Sequence, residues 1–473
     1  MLERIFRLRE HGTTVTTEMR AGLTTFMAMA YIIFTNPAIL HKAGVPFDGA
    51  ILATCLAAGL ITILMGLATN YPMCLAAGMG LNAVLSFDIV LGMGYSWQTG
   101  MGVVVLEGLA VLALTATRLR EVIMEVIPRA LKSAIAVGIG MLISFIGLQE
   151  GGIVVPHPAT MVTVGDFTHP VTLLAAAGLV ITGALLIMRV KGALLLGIVL
   201  TALLGMLPVW HLPAGVGTPA QVASGAAEAA RWGALVPPPQ GIVAVPRDFG
   251  TLFQFDLGSA LTLKLLPVAF AFFMTDFFDT MGTAIAVGSK AGYLDAEGRI
   301  PRIRPLLLVD SLGAVAGGAF GCSSNTCYIE SSAGVSEGGR TGLTAVVCGF
   351  LFLAAMFLLP LVAVVGGGVQ LAPDVVRHPV TAAALVVVGF LMMESLRQIH
   401  WDNADEALPS FLVIVFMPLT FSITHGIGAG FVGYTLWKLL TGRSREVRPF
   451  LWIVSAMFVL VFALPAIERA MAG

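Results

Sequence analysis

Charge is scarce in this chain. Only 11% of its 473 residues are Asp, Glu, Lys or Arg, against about 25% in a soluble globular domain, which excludes an ordinary water-soluble fold and leaves a chain surrounded by lipid. Neither sign dominates. The formal net charge is −1, and the basic residues stand at the ends of apolar segments, so nucleic acid is excluded as a partner. Cysteine is thin as well: Cys55, Cys74, Cys322, Cys327 and Cys348 show no CxxC spacing and no histidine partner. Buried free thiols are expected, with no disulfide frame and no metal site. A phosphate loop is missing, because the GGRTG stretch at 338–342 lacks the Gly-Lys-Ser/Thr ending; this disfavours ATP-driven work, and no cofactor is expected. The N-terminal stretch MLERIFRLREHGTTVTTEMRAG has no apolar centre and no small-residue cleavage site, so it is kept in the mature protein.

Apolar residues fill the space that charge leaves, at 57% of the chain. Runs able to cross about 30 Å of hydrocarbon fall near 20–41, 49–69, 72–92, 98–117, 129–148, 170–188 and 192–210, and again near 264–287, 305–320, 324–337, 342–365, 379–397, 407–424 and 427–442. The fold class is therefore an all-α polytopic membrane protein of about fourteen segments. Two of these, 305–320 and 324–337, are short for a helical crossing. A stretch rich in Pro, Gly and Ala divides the sets, with a surface helix expected at Ala220 to Arg231. Beyond Pro449, the run from Phe450 to Ile467 has no counterpart in the first half, and a fifteenth crossing and a C-terminal appendage both remain open. If Arg4, Arg7, Arg9 and Arg20 are cytoplasmic, alternate crossings put Lys191, Lys290, Arg340, Arg397 and Arg443 on the same side, with Lys42, Arg231, Arg247 and Arg377 as exceptions.

The two sets repeat one another. Thr99-Gly100 before an apolar run matches Thr341-Gly342, Pro128 with Gly138 matches Pro379 with Gly389, and GALLLGIVLTALL from Gly192 matches GAGFVGYTLWKLL from Gly428, at offsets of 242, 251 and 236 residues. Seven crossings per copy force the second copy to insert upside down. The third and tenth segments break helical continuity, the third at Gly78 and Gly80 just before Asn82, the tenth among small and hydroxyl residues before Glu330. Unwound backbone at membrane depth is tolerated only under cover of protein or a water-filled cavity.

Acids mark the middle of the second half. Asp276 and Asp279, in FFMTDFFDTMGT, share a helix face, and each ionised carboxylate costs roughly 2.5 to 3.5 kcal/mol at the bilayer centre. Asp279 and Glu330 are expected to face one another across a small cavity holding a polar solute, with Thr25 of the first segment within reach and Asp276 orienting Asp279 or bonding a neighbouring helix. Glu107, Asp310 and Glu394 are read as helix-to-helix bonding groups, Asp88 and His425 as exposed near segment ends, and Trp97 as an interfacial anchor.

Six stretches, TEMRAGLTTFMAMAYIIFTNPAIL, AGMGLNAVLSF, GMGYSWQTG, FFDTMGT, TCYIESSAGVSEGGRTGLTAVV and MPLTFSITHGIGAGF, together resemble the proton-coupled purine nucleobase permeases of the adenine, guanine and hypoxanthine branch of the nucleobase-ascorbate transporter superfamily. The likeness runs from Gly12 to about Arg445. It implies fourteen crossings in two inverted repeats, with a core domain (1–118 and 263–370) and a gate domain (119–211 and 371–443), to which the residues themselves add an extracytoplasmic connector (212–262) and a C-terminal apolar segment (444–473). It also implies secondary active import of hypoxanthine, guanine or adenine by proton symport, with the proton as coupling ion and no enzyme activity. Carried onto this sequence, the substrate-binding positions are Asp279, Glu330, Asn82, Gly80 and Thr283, to which the residues themselves add Thr25; proton coupling falls to Asp279, Glu330 and Asp276. The expected setting is the inner cell membrane with a cytoplasmic N-terminus, the partners being a purine base, the lipid bilayer and a second copy in a homodimer. Ala77 departs from the proline expected before GMG. Alternatives are a carrier of the same fold for xanthine, uracil or another small solute, and an intramembrane protease. The last is disfavoured because Asp276 and Asp279 share one helix and lack the YD and GxGD contexts.

Overall fold

The computed structural model describes residues 2–117, 128–211, 232–239, 241–262, 264–295, 300–366, 368–372 and 375–472. The expected surface helix at Ala220 to Arg231 and the join at 118–127 lie outside them. The first half runs α1 (Leu2–Phe6), α2 (Val15–Met29), α3 (Ile32–Lys42), α4 (Phe47–Thr69), β1 (Leu75–Ala77), α5 (Met79–Ala83), π-helical turns over Val84–Gly92, α6 (Trp97–Ala116), α7 (Arg129–Glu150), a hairpin of β2 (Val154–His157) and β3 (Met161–Val164), α8 (Pro170–Ile187) and α9 (Ala193–Met206). A small ladder pairs β4 (Trp210–His211) with β5 (Trp232–Gly233). The second half runs α10 (Leu257–Ala260), α11 (Leu266–Ala291), α12 (Ile303–Phe320), β6 (Asn325–Cys327), α13 (Ser331–Ser336), α14 (Gly342–Ala355), α15 (Leu359–Gly366), a hairpin of β7 (Val369–Ala372) and β8 (Val375–Arg377), α16 (Pro379–Met392), α17 (Ala404–Thr420), α18 (Ile423–Leu440) and α19 (Pro449–Ala472).

Among the described residues, nine helical stretches are long and apolar enough to cross a membrane by themselves. The remaining crossings are shorter or built from two pieces, which gives seven segments in each half. Local chemistry explains the boundaries. Side-chain oxygens of Thr14, Ser96, Thr341 and Ser422 accept from backbone N–H groups at the starts of α2, α6, α14 and α18, and proline opens α8, α11 and α16.

Elements from the two halves pack crosswise. Helix α14 lies on α4 and α2, and α12 lies on α6 and α4; separately, α16 lies on α7 and α8, and α17 on α7 and α18. Two packing groups result, α2–α6 with α11–α15, and α7–α9 with α16–α18. Without a hydrophobic drive between helices in lipid, close approach depends on small residues. A Cβ on Gly349 of α14 would stand 2.6 Å from the Gly59 carbonyl oxygen of α4. Gly349→Val is therefore expected to destabilise the protein by about 1 to 3 kcal/mol through overpacking; an unchanged thermal unfolding midpoint in detergent would show that α4 and α14 can part without cost.

The structure sharpens some of these expectations and overturns others. The first segment is broken, α2 ending at Met29 and α3 beginning at Ile32. The third segment breaks at Leu75–Ala77, ahead of Gly78, and 324–337 is short because it is a strand followed by a short helix. The C-terminal run forms one helix, α19, that leans on α18 and α11, with the Phe458 ring stacked on Phe431 at 6.4 Å. Asp88 is buried instead of exposed. Its Oδ2 accepts from Ser422 Oγ (3.0 Å), Thr424 N (3.1 Å) and Thr424 Oγ1 (2.7 Å) at the start of α18, because the free N–H groups and positive pole there favour a carboxylate. Glu394 stands exposed on the 3₁₀ turn Met393–Gln398, which packs against α7.

Candidate functional site

Strands β1 and β6 cross in the interior, antiparallel, with Leu75 opposite Cys327, Ala76 opposite Thr326 and Ala77 opposite Asn325. All six residues are buried, so their backbone groups need partners inside the protein. The ladder supplies some. Flanking bonds add Gly78 N–H to Ser324 O (2.9 Å), Tyr328 N–H to Cys74 O (2.9 Å) and Cys74 N–H to Ser331 Oγ (3.0 Å). The Thr62 hydroxyl of α4 accepts from Leu75 N–H (2.9 Å) and donates to Leu75 O (3.0 Å). Thr62→Val keeps the shape and removes both bonds; the expected cost is about 1 to 3 kcal/mol for each backbone group left bare. Unfolding at the wild-type temperature would mean that Leu75 finds other partners.

Helix α11 packs against α13, β6 and α5 at this crossing. Asp279 is exposed although it lies on this packed helix, so its carboxylate faces open space, a hollow. Beyond Asp279, Gly282, Ile285, Ala286 and Ser289 of α11 are exposed at helical spacing, and nothing outside the helix's own backbone lies within 4 Å of a Cβ built on Gly282. Glu330, immediately before α13, is half-buried and lies close enough to Asp279 for their charges to interact. The Tyr31 hydroxyl, at the break between α2 and α3, donates to Glu330 Oε1 at 2.9 Å. Tyr328, beside Tyr31, donates instead to Ala77 O at 2.5 Å and locks the two strands together.

The other expected site residues divide. Asn82 of α5 is fully buried, and among the described residues neither its amide oxygen nor its nitrogen is hydrogen-bonded. Thr283 is buried one turn beyond Asp279. Gly80 serves close packing: a Cβ there would lie 2.8 Å from Ile139 Cγ2 of α7, which leaves only its backbone for a solute. Thr25 is buried with its hydroxyl against Gly334 of α13. Asp276 lies behind the strands, where Ser324 Oγ donates to its Oδ1 at 3.3 Å. The Thr280 hydroxyl donates to Asp310 at 2.7 Å and meets Thr326 Oγ1 at 2.7 Å, tying α11, α12 and β6 together.

Tyr31 and Tyr328 did not stand out in the sequence. The available signal was a tyrosine inside an apolar run, since a buried phenol usually finds a hydrogen-bond partner. Two open depressions lie elsewhere, about 480 Å³ beside Ala130, His400, Asn403 and Glu406 and about 410 Å³ beside Asp166, His169 and Trp210. Neither borders Asp279 or Glu330.

Residues 16–428 match the Permease family. The chain belongs to that family. Among relatives of the permease, the adenine permease AdeP of Escherichia coli (strain K12) is 41% identical, covering 97% of this chain and 95% of its own. The guanine/hypoxanthine permease PbuO of Bacillus subtilis (strain 168) is 38% identical over 96% of this chain and 99% of its own. Among solved structures, the transmembrane domain of a cyanobacterium bicarbonate transporter, BicA, aligns with a TM-score of 0.60 at 16% identity, covering 88% of this chain and 96% of that one. The anion transporter SLC26A9 aligns at 0.59 and 10% identity over 90% of this chain and 66% of that one. At such identities the likeness concerns the fold alone. The permease is thus a multi-pass membrane transporter and not an enzyme.

Proposed function

We propose that the permease imports purine nucleobases, among hypoxanthine, guanine and adenine, by proton symport with alternating access. The observation that carries this reading is the pairing of Asp279 with half-buried Glu330 on one hollow beside crossed strands. A purine presents N–H donors and carbonyl or ring-nitrogen acceptors along the edges of a flat ring. Carboxylates are strong acceptors for such donors, and the amide of Asn82 offers both a donor and an acceptor. Relatives named as adenine and guanine/hypoxanthine permeases support the same solute class.

Under this proposal Asp279, Glu330 and Asn82 bind the base, with Gly80, Thr283 and Thr25 shaping the surroundings, while Asp279, Glu330 and Asp276 carry the proton. The group α2–α6 with α11–α15 is the core and α7–α9 with α16–α18 the gate, and the core moves against the gate to present the hollow to each side in turn. The chain sits in the inner cell membrane with its N-terminus cytoplasmic and works as a homodimer. Coupling is worth about 2.3 kcal/mol per charge at 100 mV and about 1.4 kcal/mol per pH unit. Uptake of labelled hypoxanthine, guanine and adenine into proteoliposomes under an imposed inward proton gradient tests it, with xanthine and uracil as competitors. Gradient-driven accumulation of a purine is expected; vesicles that take up no purine beyond protein-free controls would reject the reading.

A further inference from the structure

Glu330 has two carboxylate oxygens, and the protein treats them differently. Oε1 accepts the Tyr31 hydroxyl at 2.9 Å. Oε2 accepts no side-chain hydrogen bond among the described residues, and the half-buried side chain remains reachable from the hollow that holds Asp279. We propose that Tyr31 is a positioning residue that occupies Oε1 and turns Oε2 toward the hollow to accept an N–H from a planar heterocycle. This rests on the function proposed above and deepens it, because it states which atom of Glu330 reads the solute.

The rigidity of Tyr31 comes from the break in the first segment. Its carbonyl accepts from Phe34 N–H (3.0 Å), Thr35 N–H (3.0 Å) and the Thr35 hydroxyl (3.2 Å), so the backbone of Tyr31 is anchored by the first turn of α3. Its ring is 1% exposed within the main apolar core. A phenol ring held in this way has one position, from which its hydroxyl reaches Glu330, and is itself too deeply buried to meet the solute. Tyr328 does not substitute for it, since its hydroxyl is already directed to Ala77 O. Glu330 alone would sample several rotamers at the mouth of α13; with Oε1 fixed from α3, Oε2 is oriented before the solute arrives, which lowers the cost of binding.

Equilibrium binding of labelled hypoxanthine, guanine and adenine to the purified full-length protein tests this, beside proteoliposome uptake. Tyr31→Phe is expected to raise Kd and KM about 10- to 100-fold, the range for losing one hydrogen bond to a charged group, with the maximal uptake rate retained. In a Glu330→Gln background the same substitution is expected to add little, within about twofold, because the carboxylate oxygen that Tyr31 orients is already absent. Wild-type affinity in Tyr31→Phe overturns the proposal, as does an equal loss in both backgrounds, which is the mark of a purely structural role. Should Tyr31→Phe not be monodisperse, Glu330→Asp withdraws the carboxylate from the phenol by one methylene; a comparable loss supports the proposal and unchanged affinity overturns it. A wild-type protein that binds no purine rejects the proposed function and this inference with it, whereas normal wild-type binding with an unaffected Tyr31→Phe rejects this inference alone.

Discussion

Glu330→Gln is expected to lower the kcat/KM of purine uptake at least about 100-fold while leaving the protein folded. Glutamine keeps the length and shape of the side chain and can still accept the Tyr31 hydroxyl, so the break before α13 has no reason to rearrange. What it loses is charge and the capacity to take a proton. Hydrogen bonds to a charged acceptor are worth about 1.5 to 3 kcal/mol, roughly twice a neutral one, and every 1.4 kcal/mol is about tenfold; loss of a proton carrier falls on top of this. Uptake in proteoliposomes, beside a melting temperature for the same preparation, is the measurement. A variant that accumulates purine as the wild type does would remove Glu330 from both binding and coupling.

Asp279→Asn is expected to separate transport from coupling. Asp279 faces the hollow directly, with no side chain from another element bonded to it among the described residues, and asparagine offers the solute an acceptor of the same size without a titratable proton. Accumulation under a proton gradient should therefore fall to the level of passive equilibration, at least about tenfold below wild type given that one pH unit alone drives about 1.4 kcal/mol. Exchange of labelled for unlabelled purine at equal concentrations should persist, because exchange requires no net proton movement. If gradient-driven accumulation survives in Asp279→Asn, the proton travels by another group. If exchange also disappears, Asp279 is needed for binding itself.

Those two acids were legible from sequence because ionisable groups in long apolar runs are costly and therefore noticeable. The brevity of 324–337 was legible for a similar reason: too few residues for a helical crossing, and a strand with a short helix is what fills it. The rest was hidden by local ambiguity. Leu75, Ala76 and Ala77 read as helix by composition, and their extended form depends on Thr62 and on partners about 250 residues away. Around Ala30 and Tyr31 the sequence AMAYIIF contains neither glycine nor proline, so nothing local announces the break. Asp88 misled in another way. Position near a segment end suggested water, whereas its true partners, Ser422 and Thr424, lie more than 330 residues further along the chain. Gly80, read from the sequence as a helix break and a substrate-binding position, also admits a neighbouring helix, since a Cβ there would meet Ile139.

The ladder between β1 and β6 ties the candidate site to both copies of the repeat at once. Either copy alone would present a bare strand edge to hydrocarbon, with N–H and C=O groups that lipid cannot satisfy. During synthesis the first seven crossings must therefore wait, incomplete, until the tenth segment arrives to close them. Closure of this crossing waits on the tenth segment, although the first strand is made about 250 residues earlier.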